Sequence, residues 1–428
     1  MLHSYQNMIR GELKMNPSIQ LTHAWNKNYW PTGGTEKAFL LLELKGTATM
    51  QTERASMNIS LVLDRSGSMS GAPLAFSKKA CQYVIDQMVS DDTLSIVVFD
   101  DEVTTVLQPQ NIMHKDLMKQ RIESIQTGGS TNLSGGLLQG IQYVLKSKRE
   151  GSINRVILLS DGHANQGITD PLKLQSIVKE FQGMGVGVTT MGVGDGFDEE
   201  LMEGIADSGG GNFYFIEKPE DVPGIFSKEL TGLLSVIAQN VQLTIKPTEA
   251  ASITHIYGYN AEESERGLML TLGDVFAQET KSVLIELSLF PYAVGKGRAL
   301  ELQWDFVDVT EEVKICTMQY AIEANFTNDI DLINNSSNPH IEKQVQITES
   351  AMTIQHAIAA FDLGDVETGK QLLQQQADAM LCSAVQSDDA ELREEARMLY
   401  DHLENFTYSS NTRKSLHEQK YRQMKRKK

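Results

Sequence analysis

From residue 57 onward, runs of consecutive apolar residues alternate with stretches of helical period, and no other feature restricts the fold as much. NISLVLD (58–64), TLSIVVFD (93–100) and RVILLSD (155–161) each carry a run of consecutive apolar residues, and helix-length segments lie between them. A strand apolar on both faces must be covered on both, and the helical segments that follow bring the chain back to run parallel. The same reading places helices at 74–89, 116–125, 134–145, 171–181, 198–206 and, closing the unit, 221–238, with strands in VGVTTMGVG and NFYFIE. DDEVTTVLQ has no helix before it and reads as an antiparallel edge strand. The expectation is an α/β unit over 57–238, built on a doubly wound, mostly parallel, Rossmann-like sheet.

After residue 238 the period changes to two. VQLTIKP, ITHIYGY, GLMLTLGDV, KSVLIELSLF, ALELQWDFVDV and VKICTMQYAI read as short strands of an antiparallel β-sandwich. Two strand-like runs before the α/β unit, 19–24 and 38–44, have no partners nearby, and an isolated hairpin is not stable. They are therefore expected to complete the sandwich, which spans 15–56 and 239–325 with the α/β unit inserted. Residues 340–428 form a helical C-terminal region, with helices at 344–361, 365–381 and 388–405, and Gly364 stands where a helix end needs positive φ. The final stretch, RKSLHEQKYRQMKRKK, reads as a solvated, frayed basic tail, the alternative being a contact for an acidic partner or an anionic surface.

Composition narrows the function. With 38 basic against 56 acidic residues the net charge is −18, which argues against nucleic acid as the main partner. Three cysteines, Cys81, Cys316 and Cys382, are too few and too scattered for a disulfide framework or a cysteine zinc site. The first residues lack the apolar region of a secretory signal, and no run reaches the length of a membrane span. A cytoplasmic protein is the expectation.

The first apolar strand ends in Asp64-Arg65-Ser66-Gly67-Ser68-Met69-Ser70. Alternate residues of a turning loop project to one side, so Asp64, Ser66 and Ser68 can converge. Oxygen donors of this kind suit a hard cation such as Mg²⁺, Mn²⁺ or Ca²⁺. Thr131 lies in the glycine-rich TGGSTNLSGG, and RVILLS ends in Asp161-Gly162. In a doubly wound sheet, ligands bind beyond the carboxyl ends of the strands where strand order reverses, and the strands ending at Asp64 and Asp161 are the natural neighbours there. Ser130 is the alternative to Thr131. Asp100, Asp101 and Glu102 read as a solvated turn on the same rim, and His163 as a rim residue rather than a ligand.

Enzyme signatures are missing: no G-x-G-x-x-G opens a helix after the first strand, no phosphate loop occurs, and GSMSG puts Met69 where a nucleophile elbow needs serine. A metal-dependent phosphoester hydrolase using Asp64 and Asp161 is the enzymatic alternative, and it lacks a second aspartate in the nucleophile loop.

DRSGS, GGSTNLSGGL and LLSDG, in this order, resemble a von Willebrand factor A-type domain with a metal-ion-dependent adhesion site. The flanking strands resemble bacterial intracellular proteins in which such a domain is inserted in a small β-domain. The resemblance implies that Ser66, Ser68 and Thr131 bind a divalent metal through hydroxyls, with Asp64 and Asp161 acting partly through water. It implies one open coordination position for an Asp or Glu of a partner protein, hence a non-enzymatic interaction module. It also suggests an AAA-type ATPase or other assembly machinery as partner. The competing reading is a scaffold with a structural metal, whose sandwich or helical tail binds the partner.

Overall fold

A computed structural model describes residues 11–16, 18–47, 55–161, 164–194, 196–310, 313–404 and 409–425. The described elements begin with β1 (Gly11–Asn16), β2 (Ile19–Trp25), β3 (Trp30–Pro31) and β4 (Thr35–Gly46). The α/β region follows, as β5 (Met57–Asp64), α1 (Ala72–Gln87), β6 (Thr93–Phe99), β7 (Val103–Asn111), α2 (Lys115–Glu123) and α3 (Leu133–Lys146). It continues with β8 (Ile153–Ser160), α4 (Pro171–Gly183), β9 (Gly187–Val193), α5 (Glu199–Ser208), β10 (Gly210–Ile216) and α6 (Val222–Leu234).

The six strands of this region form one sheet in the order β10-β9-β8-β5-β6-β7. All pairings are parallel except that of β7, which runs antiparallel at the edge. β5, β6 and β8 are buried at every residue, as their unbroken apolar runs require. Leu61 and Leu63 face α1 and α6, through Val84, Ile85, Phe226 and Leu230. Val62, Val156 and Leu158 face α3, α4 and α5 on the other side. Strand order reverses between β5 and β8, so the loops after Asp64 and Ser160 open side by side.

Seven further strands follow: β11 (Val236–Pro247), β12 (Ala251–Tyr257), β13 (Glu262–Ser264), β14 (Gly267–Phe276), β15 (Thr280–Leu289), β16 (Gly295–Asp308) and β17 (Lys314–Thr327). They join β1–β4 in two sheets, β1-β2-β4-β15-β12 and β13-β14-β11-β16-β17-β3. β4, from before the parallel sheet, pairs along its length with β15, from after it. Leu40, Leu42, Ile285 and Leu287 of one sheet meet Leu243, Ile245, Leu302 and Trp304 of the other. The parallel sheet sits close on this body: Gly210 and Gly273 both take positive φ (62° and 74°), and a side-chain carbon on Gly273 would lie 2.3 Å from the Gly210 carbonyl oxygen.

The C-terminal region holds α7 (Ile330–Asn334), α8 (Pro339–Asp362), α9 (Val366–Ser387), α10 (Ala390–Leu403) and α11 (Ser410–Lys425). α8 packs Ile341 and Val345 on Phe39, Leu41 and Leu284 of the sandwich. Gly364 follows α8 with φ at 83°, as a helix C-terminus of this kind demands.

Two expectations need correction. The closing helix stops at Leu234, and Val236 and Ala238 pair with β14 instead, since the β-branched Val236-Ile237 pair suits a strand better than a helix end. The basic stretch is not a frayed tail: 410–425 is a helix with Lys414, Leu416, His417 and Tyr421 buried. β1 and β3 are strands that the sequence pattern did not disclose.

Candidate metal centre

β5 delivers Asp64 at its carboxyl end, where the side chain is fully buried. One carboxylate oxygen accepts the Ser66 backbone N–H at 2.7 Å, and the other accepts the Ser160 hydroxyl at 2.6 Å. Asp64 thus folds the loop back on itself and ties it to the end of β8. The turn brings the Ser66 and Ser68 hydroxyls to 3.1 Å from each other, and Ser68 donates to Asp161 Oδ1 at 2.7 Å. Four of the five expected residues are joined by these contacts.

Thr131 reaches the same place through its backbone. Gly128 donates its N–H to the Arg65 carbonyl at 2.7 Å, and Gly67 donates to the Gly129 carbonyl at 3.0 Å. The Thr131 carbonyl accepts the N–H groups of Asn165 and Gln166, in the segment that follows Asp161. Thr131 is buried, whereas the Ser130 hydroxyl is taken up by the Gln166 side chain. Among the described residues, the Thr131 hydroxyl makes no hydrogen bond to the other four. Gly162 and His163 lie outside the described residues.

Sequence reasoning gives no role to Ser160 or Ser134, which hold the site, and it places a third such residue, Asp100, in a solvated turn. Ser160 orients Asp64, and its position at the end of an apolar strand was the available signal. Ser134 accepts the Ile168 N–H at 2.7 Å, fixing the segment after Asp161 to α3. Asp100, expected to be solvated, is buried. It accepts Arg65 and the Glu102 N–H, and its carbonyl accepts the Asn132 N–H. Its carboxylate also fills the space over Gly128, where a side-chain carbon would sit 1.6 Å from Oδ2. The glycine pair therefore exists to let the Asp100 and Asp101 side chains lie on the loop backbone.

The electrostatics favour a cation. Burial raises the Asp64 carboxyl above the usual range against the pull of Ser160 and Ser66, and burial pushes Asp161 up to about 6, with the Asp64 charge adding to it. Among the described residues no lysine, arginine or histidine pairs with either carboxylate; Arg65 goes to Asp100. No cage of three histidine, cysteine, aspartate or glutamate side chains occurs among the described residues, so the oxygen set here is hydroxyl-rich. Two buried carboxylates beside converging hydroxyls fit a hard divalent cation.

A family model of the von Willebrand factor type A domain matches residues 58–228. The chain carries a von Willebrand factor type A domain. Beyond the domain, the chain is similar to an uncharacterised Synechocystis protein, sll0103, at 29% identity over 267 residues, 60% of this chain and 62% of that one. It is also similar to Escherichia coli YfbK, at 28% identity over 262 residues, 59% of this chain and 45% of that one. The matches thus take in less than two thirds of either relative's length. The solved structure of a von Willebrand factor type A protein from Catenulispora acidiphila shares the fold, with a TM-score of 0.75 at 18% identity. That likeness covers 97% of this chain and 99% of the other, so it includes the sandwich and the C-terminal helices as well as the von Willebrand factor type A domain.

Proposed function

We propose that this protein is a divalent-cation-dependent interaction module that grips an acidic residue of a partner protein. The observation that carries the reading is the meeting of Ser66, Ser68 and Asp161, from loops far apart in sequence, over a buried Asp64, with no cationic side chain among the described residues to neutralise them. Ser66, Ser68 and Thr131 would hold the ion through neutral hydroxyls, and Asp64 and Asp161 would orient those hydroxyls and its water. A divalent ion so held supplies a local positive charge that an outside carboxylate can reach.

The chain's own residues set up that function. Asp64 and Ser160 keep the Ser66 backbone turned inward, and the Gly128–Gly129 loop keeps Thr131 beside it. This matters for a chain of net charge −18, whose surface otherwise repels acidic partners. Von Willebrand factor type A domains typically serve in protein interaction, and we place this chain with the cytoplasmic members that bind assembly machinery such as AAA-type ATPases. The hydroxyl-rich oxygen set around Asp64 suits cation binding, and we assign binding rather than turnover.

Calorimetric titration of the chain with Mg²⁺ and with Mn²⁺ tests the reading. One site per chain is expected, lost in Asp64→Ala; equal heats for wild type and variant would refute it.

A further inference from the structure

The turn between β9 and α5 lies against the candidate metal centre. Its Gly196 backbone packs on the main chain of Asp161: a side-chain carbon on Gly196 would lie 2.4 Å from the Asp161 carbonyl oxygen. Phe197, the next residue, is buried and anchors the turn. Its ring lies over Gly192 of β9, where a side-chain carbon would meet Cζ at 2.3 Å. It also packs on Phe215 at 5.9 Å and edge-on to Phe213 at 6.3 Å. Asp198 then caps α5 by accepting the Leu201 N–H at 3.0 Å. Asp161 is therefore backed by a turn held in place through the Phe197 ring.

The same ring is covered by α11. The Lys414 ammonium stands 4.8 Å from the ring centroid and 3.7 Å from Glu199 Oε2, in the first turn of α5. The Lys414 and Glu199 side chains are only 2% and 7% exposed, so this contact counts for more than a cation over a surface ring. Arg413 pairs with Glu199 as well, and with Glu200 at 2.6 Å. Elsewhere α11 is locked to the other C-terminal helices. Leu416 is buried in their core, Gln419 meets His402 at 2.9 Å, and Arg422 and Gln423 both donate to Glu395 at 2.9 Å. A continuous packed route thus runs from the C-terminal helices through Lys414, Phe197 and Gly196 to Asp161, whose carboxylate accepts Ser68.

We propose that Lys414 is a positioning residue for the metal centre: by clamping Phe197 it fixes the turn that backs Asp161, so that cation binding at the centre and docking of α11 strengthen each other. Two buried carboxylates, Asp64 and Asp161, repel each other until a cation stands between them, and that repulsion loosens Asp161 together with the turn packed on it. Both sites therefore bias one element, the turn at 196–198. This coupling rests on the divalent-cation reading of the site and adds to it an input from the C-terminal helices. Linkage makes it reciprocal: whatever α11 adds to cation affinity, the cation adds to the hold on α11.

Hydrogen exchange on the full chain, in EDTA and in saturating Mg²⁺, tests the coupling alongside calorimetry with Mg²⁺. Mg²⁺ should slow exchange about fivefold or more at 196–202 and at 410–425. Slowing shared equally by β17 would report a general stabilisation and overturns the proposal. Lys414→Met keeps the length of the side chain and removes the cation. It should bind Mg²⁺ about fivefold more weakly or worse, and Mg²⁺ should no longer slow its 410–425 segment. In EDTA its 196–202 amides should exchange faster than those of wild type. A merely structural lysine would lower the melting temperature and leave both the Mg²⁺ affinity and the Mg²⁺ effect on exchange alone. Either of those two results, with Mg²⁺ bound by wild type, overturns the coupling and leaves the metal reading standing. A wild type that gives no heat with Mg²⁺ removes the metal reading and the coupling with it. Should Lys414→Met fail to fold, wild-type exchange decides alone: 410–425 slowed by Mg²⁺ supports the coupling, and exchange unchanged by Mg²⁺ overturns it.

Discussion

Ser68 donates its hydroxyl hydrogen to Asp161 Oδ1 across 2.7 Å, linking two residues 93 positions apart. That bond closes the candidate site: it joins the turn after β5 to the end of β8, at the place where the parallel sheet reverses its strand order. Asp161→Asn keeps the shape and removes the charge. It should lower Mg²⁺ affinity while leaving the melting temperature in chelator at or above that of wild type, since the buried carboxylate is uncompensated without a cation. Calorimetry with a parallel thermal melt checks both; a variant that melts earlier in chelator with unchanged Mg²⁺ binding contradicts the reading.

Ser160 touches Asp64, not the expected position of the ion. Ser160→Ala should therefore weaken Mg²⁺ binding by about tenfold to a hundredfold, the usual range for residues that orient ligands. The fold should survive, because an alanine fits the strand. Unchanged affinity in a titration would show that Asp64 needs no such partner.

Gly128 has its own role. A methyl group there would collide with the Asp100 carboxylate, so Gly128→Ala should cost about 1–3 kcal/mol in urea unfolding and weaken Mg²⁺ binding as well. A variant with Asp100→Ala added should recover part of the stability, because the obstruction is gone. No recovery would mean that the loop is set by other contacts.

How much of this was legible in the sequence follows from what decides each element. β5, β6 and β8 stand out because burial on both faces leaves no position for a polar pattern, and Asp64 and Asp161 stand out because they end those runs. The basic helix 410–425 does not, because its partners are the carboxylates Glu199, Glu203 and Asp362, remote in sequence; local composition shows only a solvated tail. Asp100 reads locally as a solvated turn for the same reason, since its burial depends on Gly128 lying beneath it. β1 and β3 depend on strands supplied from elsewhere in the chain, and a two-residue strand such as β3 has no period to read.

Arg155, buried at the start of β8, binds Asp274 of β14 at 2.6 Å and so joins the parallel sheet to the sandwich. Asp274 also accepts the Asn240 N–H. Removing one partner of a buried pair is costly: Arg155→Met should destabilise by about 3–5 kcal/mol in chemical unfolding. Arg155→Met with Asp274→Leu should lose less than Arg155→Met alone, and a double variant as weak as the single would show that the pair is not the unit of stability.

Docking of α11 should depend on pH. Burial would raise the Glu203 carboxyl, yet the His417 hydrogen bond and the Lys420 ammonium hold it below its ordinary value of 4.5. Glu200, Asp207 and Asp362 face the same space. A depressed carboxyl contributes stability above its unfolded value and loses it as pH falls, so the helix should loosen as the pH drops below about 4.5. Hydrogen exchange of 410–425 across that range checks it; protection that is flat with pH, or that rises in acid, would contradict the assignment.

In the proposed centre, Ser66, Ser68, Thr131, Asp64 and Asp161 surround one divalent ion. Anomalous diffraction from crystals grown with Mn²⁺ tests this directly. A single strong peak is expected within about 2.2 Å of the Ser66, Ser68 and Thr131 hydroxyls. A peak elsewhere, no peak, or a Thr131 side chain turned away from the serine pair would contradict it.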